Sequence, residues 1–123
     1  AEKLQIYAVT VDEGNLTLAH AEPFAGIHLA YWPSLSVGVN APSFCGAPYE
    51  AFVKHVSGID LRQHLLTPSQ ADDIASALEA AIDTTLPYAF RAWSLRLEEV
   101  QALACWFAVC ANEGYYVHGW WGE

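Results

Sequence analysis

The chain has 123 residues, 54% of them hydrophobic and 15% charged, with a formal net charge of −9 at pH 7. That length holds one ordinary domain, taken here as 1–123, and that apolar fraction can bury a core, which excludes wholesale disorder. The only basic residues are Lys3, Lys54, Arg62, Arg91 and Arg96, too few to replace the counterions of a nucleic-acid backbone, so nucleic acid is not an expected partner.

The first segment, Leu4 to Val11, reads LQIYAVTV. Its alternation predicts a strand. Asp12-Glu13-Gly14-Asn15 is a turn cluster, and Leu16 to His20 returns as a second strand. Ile27 to Trp32 and Leu35 to Val39 read as two more strands, broken at Pro33-Ser34. Asn40 to Pro48 carries two prolines, a glycine and Cys45, which predicts a loop.

Tyr49 to Val56 predicts a helix stopped by Gly58, with Pro48 in its first turn. Ile59 to Leu66 has no decisive period. Thr67-Pro68-Ser69-Gln70 is a capping box. Ala71, Ile74, Ala75, Leu78 and Ile82 then recur at helical spacing, giving a helix over Thr67 to Asp83, with Asp72 and Asp73 expected in its first turn, where the helix dipole favours carboxylates. A last helix opens near Ser94, carries Glu98 and Glu99 early, presents a stripe of Val100, Leu103, Ala104, Phe107 and Ala111, and stops at Gly114. Tyr115 to Trp121, YYVHGWW, closes the chain as a short aromatic strand, in which Gly119 marks a bulge or a close backbone contact.

Strands, then helices, then one closing strand predict an α+β fold. The expectation is a mostly antiparallel sheet of about four to five strands with two to three helices on one face. No apolar run is long enough to span a bilayer. Cys45, Cys105 and Cys110 show neither a disulfide framework nor zinc-ribbon spacing, and a reducing, cytoplasmic setting is expected. Cys105 and Cys110 read as packing residues of an apolar helix.

Chemistry-bearing motifs are sparse. There is no phosphate-binding glycine motif and no HExxH. His20-Ala21-Glu22 lacks the PCxxC partner of a zinc deaminase. His20, His28, His55, His64 and His118 show no ligand spacing, so no metal and no cofactor is expected. Cys45 is the weak catalytic candidate. It precedes a predicted helix, whose N-terminus favours a thiolate, and a distant His118 or His28 would serve as base. A cysteine ahead of a helix with a later strand histidine is similar to papain-like thiol hydrolases. The diagnostic residues around their cysteine are absent from Ser43-Phe44-Cys45-Gly46, and no family is assigned.

The aromatic C-terminus outweighs that candidate. In a strand, Tyr115, Val117 and Trp121 face one way and Tyr116, His118 and Trp120 the other. One set faces the core, and the other forms an aromatic patch of the kind that marks an interface. Tyr31 and Trp32 pose the same choice. Glu98, Glu99 and Glu113 are expected to rim the patch and steer a partner with a basic surface. The leading expectation is a small acidic protein that binds and inhibits or neutralises another protein. In size, charge and lack of catalytic motifs it is similar in type to toxin-immunity proteins and phage-encoded inhibitors. The alternatives are a thiol hydrolase or transferase using Cys45 with a distant histidine, and a homodimer completed by the aromatic strand.

Overall fold

A computed structural model describes residues 3–29 and 42–122. In chain order these form β1 (Lys3–Asp12), β2 (Asn15–Leu18), β3 (Ser43–Cys45), α1 (Glu50–Ser57), β4 (Leu65–Leu66), α2 (Pro68–Thr84), α3 (Leu97–Glu113) and β5 (Tyr116–Gly122), with short 3-10 stretches at Glu22–Phe24 and Pro87–Trp93.

The turn cluster closes β1 onto β2. Glu13 and Gly14 take φ of 50° and 84° between the paired residues Asp12 and Asn15. Two consecutive positive φ values give the hairpin turn whose twist matches that of its strands. On its other side β1 pairs with β5 from Lys3↔Gly122 to Val9↔Tyr116, and β5 continues to β4. All pairings are antiparallel and the order is β2-β1-β5-β4, with β3 also on β1. The edge of β1 opposite β5 is thus shared. Ala8 marks the division, its N–H donating to the Pro42 carbonyl (2.8 Å) and its carbonyl accepting from the Ala19 N–H (2.9 Å).

Alternation sends Leu4, Ile6 and Ala8 of β1, Phe44 of β3, Leu66 of β4 and Val117 of β5 to one face, where each is buried. They join one core with Val53 of α1, Ile74 and Leu78 of α2, and Val100, Leu103 and Phe107 of α3. The helices therefore lie on one face of the sheet, the expected α+β arrangement. Trp106 of α3 packs at its centre against Phe44, Phe107 and Phe24, with ring centroids 4.8, 5.1 and 5.3 Å away. Its indole N–H is buried with no acceptor among the described residues.

The helix ends follow local chemistry. Thr67 Oγ1 accepts from the Gln70 N–H (3.1 Å), and Gln70 Oε1 accepts from the Thr67 N–H (2.9 Å), so the capping box forms with Pro68 at the first helical position. Asp72 and Asp73 fall in the second turn, not the first as expected, because the helix begins at Pro68. Gly58 and Gly114 end α1 and α3 in the left-handed region, at φ of 75° and 72°.

Several expectations need correction. Ser94 does not open the last helix. It takes φ of 59° and closes the preceding 3-10 stretch, its N–H donating to the Arg91 carbonyl. The helix starts after Arg96, whose backbone N–H donates to the Glu99 carboxylate (3.1 Å). The expected loop from Asn40 to Pro48 contains β3, because Ser43 to Cys45 find pairing partners on β1 that no local pattern announces. Ile27 to Leu29 is irregular rather than strand. The remainder of the third expected strand, with Tyr31 and Trp32, and all of the fourth, Leu35 to Val39, lie outside the described residues. Cys105 is exposed, while Cys110 is core, and burial pushes the Cys110 thiol well above its ordinary range. Among the described residues, no helix is long and apolar enough to cross a membrane.

Candidate functional site

The face of the sheet turned away from the helices is the distinctive surface. Residues that share a register row and a face are neighbours across strands. Leu16 lies beside Val11, Leu18 beside Val9 and then Tyr116, and Gln5 beside Trp120. Tyr7 lies beside His118, which lies beside Leu65. Ser43 and Cys45 flank Tyr7 and Gln5 from β3. Of six large apolar side chains left exposed among the described residues, four belong here: Trp120 (57%), Leu18 (56%), Leu16 (39%) and Val11 (38%). From Val11 to Gln5 and from β2 to β4 the face measures about 20 by 15 Å.

Structure supports Trp120 from beneath. Gly119 turns to the core side, where an added Cβ would lie 2.5 Å from the Leu61 carbonyl oxygen and 3.1 Å from that of Gln63. The close contact expected of Gly119 is therefore with the segment that crosses to β4. That segment also fixes His118, whose Nδ1 lies 2.8 Å from the His64 carbonyl oxygen. A carbonyl can only accept, so Nδ1 carries a proton in this contact. The His118 ring stacks on Tyr7 (6.2 Å) and meets His64 edge-on (4.7 Å).

The sequence-derived binding residues divide between layers. Tyr116, His118 and Trp120 share the outer face, Tyr116 and His118 half-buried and Trp120 exposed. Val117 and Tyr115 are buried in the core. Glu113 ends α3 three residues before Tyr116, at the margin of the strand. Glu98 and Glu99 open α3 instead, about 21 Å along its axis from Glu113. They sit in the helical layer, so the sheet stands between them and the Trp120 ring, and they do not rim the patch. Both line a cleft of about 330 Å³ with His28, Arg96 and Cys105.

Cys45 and His118 are not brought together. They stand opposite Gln5 and Tyr7 on the two flanks of β1, which puts their Cα atoms about 12 Å apart. Cys45 is buried in β3 on the face away from the helices, so α1 does not present its N-terminus to the thiol. His28 lies in the cleft at α3. Among the described residues, no group of three or more His, Cys, Asp or Glu side chains gathers closely enough to hold a metal ion.

Sequence reasoning overlooked Val11, Leu16 and Leu18. Their signal was present: with the hairpin turn placed at Glu13-Gly14, the register makes Val11 and Leu16, then Val9 and Leu18, same-face pairs. No Lys or Arg occurs between Lys3 and Lys54 in the sequence, and Asp12 and Glu13 stand at the β1–β2 turn. No family model, curated protein or solved structure matches this chain.

Proposed function

We propose that this chain binds another protein through the helix-free face of its sheet, and that by occupying a basic surface of that partner it inhibits or neutralises it. One observation carries the reading: four exposed apolar side chains, Val11, Leu16, Leu18 and Trp120, share one face of the sheet. Val11, Leu16 and Leu18 cluster at the β1–β2 end and Trp120 stands about 17 Å from Leu18 across the same face, and exposed apolar side chains on one face are a recurrent mark of interfaces. The face has a footprint of about 300 Å², and a stable complex recruits further surface around it to reach about 800 Å² per partner. Here the rim is acidic at the β1–β2 turn, which favours a cationic partner and speeds encounter with it. Trp120 is the natural anchor, being aromatic, largely exposed and braced by the segment beneath Gly119.

The test compares tagged wild-type and Trp120→Ala chains as baits in lysate of the native host, with mass spectrometry of what each retains. The wild type is expected to retain one stoichiometric, basic protein whose own activity falls when purified chain is added. Trp120→Ala loses it while keeping its cooperative unfolding transition. Retention of the same protein by the variant refutes the assignment of this face.

A further inference from the structure

Among the described residues, the β1–β2 hairpin turns a specific set of backbone groups outward without partners. Ala19 donates its N–H to the Ala8 carbonyl, which makes Ala8 and Ala19 a hydrogen-bonded pair. Antiparallel ladders alternate such pairs with non-bonded ones. Thr10 with Thr17 and Asp12 with Asn15 are therefore the next bonded pairs, and Leu16 and Leu18, opposite Val11 and Val9, turn their N–H and C=O groups away from β1. β2 ends the strand order, all four of its residues are exposed, and among the described residues nothing pairs with its outer edge. Natural sheets commonly blunt such an edge with lysine, proline or a bulge. Asn15-Leu16-Thr17-Leu18 has none of these.

We propose that the free edge of β2 accepts an extended segment of a basic partner protein as a further antiparallel or parallel strand. This deepens the reading above and rests on it. The four outward groups of Leu16 and Leu18 match alternate residues of an incoming strand. Beside the exposed Leu16 and Leu18 side chains the segment places apolar residues, extending the face that carries Trp120. On its other side it meets Asn15 and Thr17, so polar residues alternate with the apolar ones. Charge selects the occupant. Asp12 and Glu13 stand at one end of β2 and Glu22 beyond the other, with no Lys or Arg between Leu4 and Val53. A second copy of this chain would set carboxylates against carboxylates, whereas lysine or arginine in the added strand pairs with them.

The test pans a phage-displayed library of random twelve-residue peptides on the folded chain, then measures the enriched peptides against wild type, Leu18→Ala, Leu18→Pro and Trp120→Ala. Proline is tolerated where an edge N–H faces outward, so Leu18→Pro removes the outward donor without removing a β1–β2 bond. Leu18→Ala removes only the side chain. The expected peptides alternate apolar with Lys or Arg residues and bind Leu18→Pro at least about tenfold more weakly than Leu18→Ala. In the wild type they also slow hydrogen exchange at the Leu16 and Leu18 amides, a readout that stands even if Leu18→Pro fails to fold. The edge proposal is overturned if no such peptides enrich, if Leu18→Pro binds them as Leu18→Ala does, or if the two amides stay unprotected. Peptides that are lost in Trp120→Ala yet held by Leu18→Pro overturn the edge alone and leave the face intact, while failure of the face itself shows in the lysate comparison.

Discussion

Replacing Gly119 by Ala tests whether the segment from Ile59 to His64 holds the aromatic strand in place. The added Cβ would meet the Leu61 carbonyl oxygen at 2.5 Å, well inside van der Waals contact; the Cβ is fixed to its own Cα and the oxygen is main chain, so no side-chain rotation relieves the contact. The segment resists movement. Leu61 is buried, Arg62 donates two hydrogen bonds to the Glu50 carboxylate of α1 (2.7 and 2.9 Å), and Leu65–Leu66 is paired to β5. Overpacking of this kind costs about 1–3 kcal/mol. Alanine returns about 0.5–1 kcal/mol because glycine is the less favourable strand residue. Because the clash is with main chain, the upper part of the overpacking range applies, about 2–3 kcal/mol, and the net loss of about 1–2.5 kcal/mol lowers Tm by roughly 3–15 °C for a domain of this size. Thermal unfolding followed by circular dichroism measures it. Hydrogen exchange at the Val117 amide, which faces β4 while those of His118 and Trp120 face β1, should quicken in parallel, since the variant pries the segment from β5. An unchanged or raised Tm would refute the reasoning and show that the segment moves aside freely.

Other expectations follow from single contacts. Thr67→Ala removes the side-chain acceptor of the α2 cap and should cost about 1 kcal/mol in chemical denaturation; an unchanged midpoint counts against the cap. In the native protein iodoacetamide should modify the exposed Cys105 first, with Cys45 and Cys110 reacting only on unfolding, as peptide mass mapping over time will read out; rapid native labelling of Cys45 would reopen the thiol chemistry. Burial, with the Asp60 carboxylate adding to it, raises the Glu50 carboxyl above its ordinary range despite the hydrogen bonds from Arg62. The folded chain then binds more protons at Glu50 than the unfolded chain does, so this group lowers stability as pH rises from the ordinary carboxylate range through the raised value. Denaturation midpoints across that window should show Glu50→Gln gaining on wild type as pH rises, and a gap that narrows instead would reverse the sign.

What the residues determine alone is what short-range physics decides. The capping box at Thr67 and Gln70, the glycine stops at Gly58 and Gly114, the tight turn at Glu13-Gly14 and the alternation of Tyr116, Val117, His118 and Trp120 all depend on neighbours within a few positions, and each was legible without coordinates. The α+β class follows from the order of those elements. Tertiary structure decided the rest, because it depends on which distant segments meet. Ser43 to Cys45 became a strand only because β1 offered the edge. Cys45 and His118 were set apart by the strand between them, although in sequence nothing forbade a dyad. Glu98 and Glu99 went to the helical layer because α3 packs on the core side, separating them from an aromatic face that sequence proximity had joined them to. The same packing, with every described helix on one side of the sheet, left Leu16, Leu18 and Trp120 exposed on the other, and no local pattern records which face of a sheet its helices will choose.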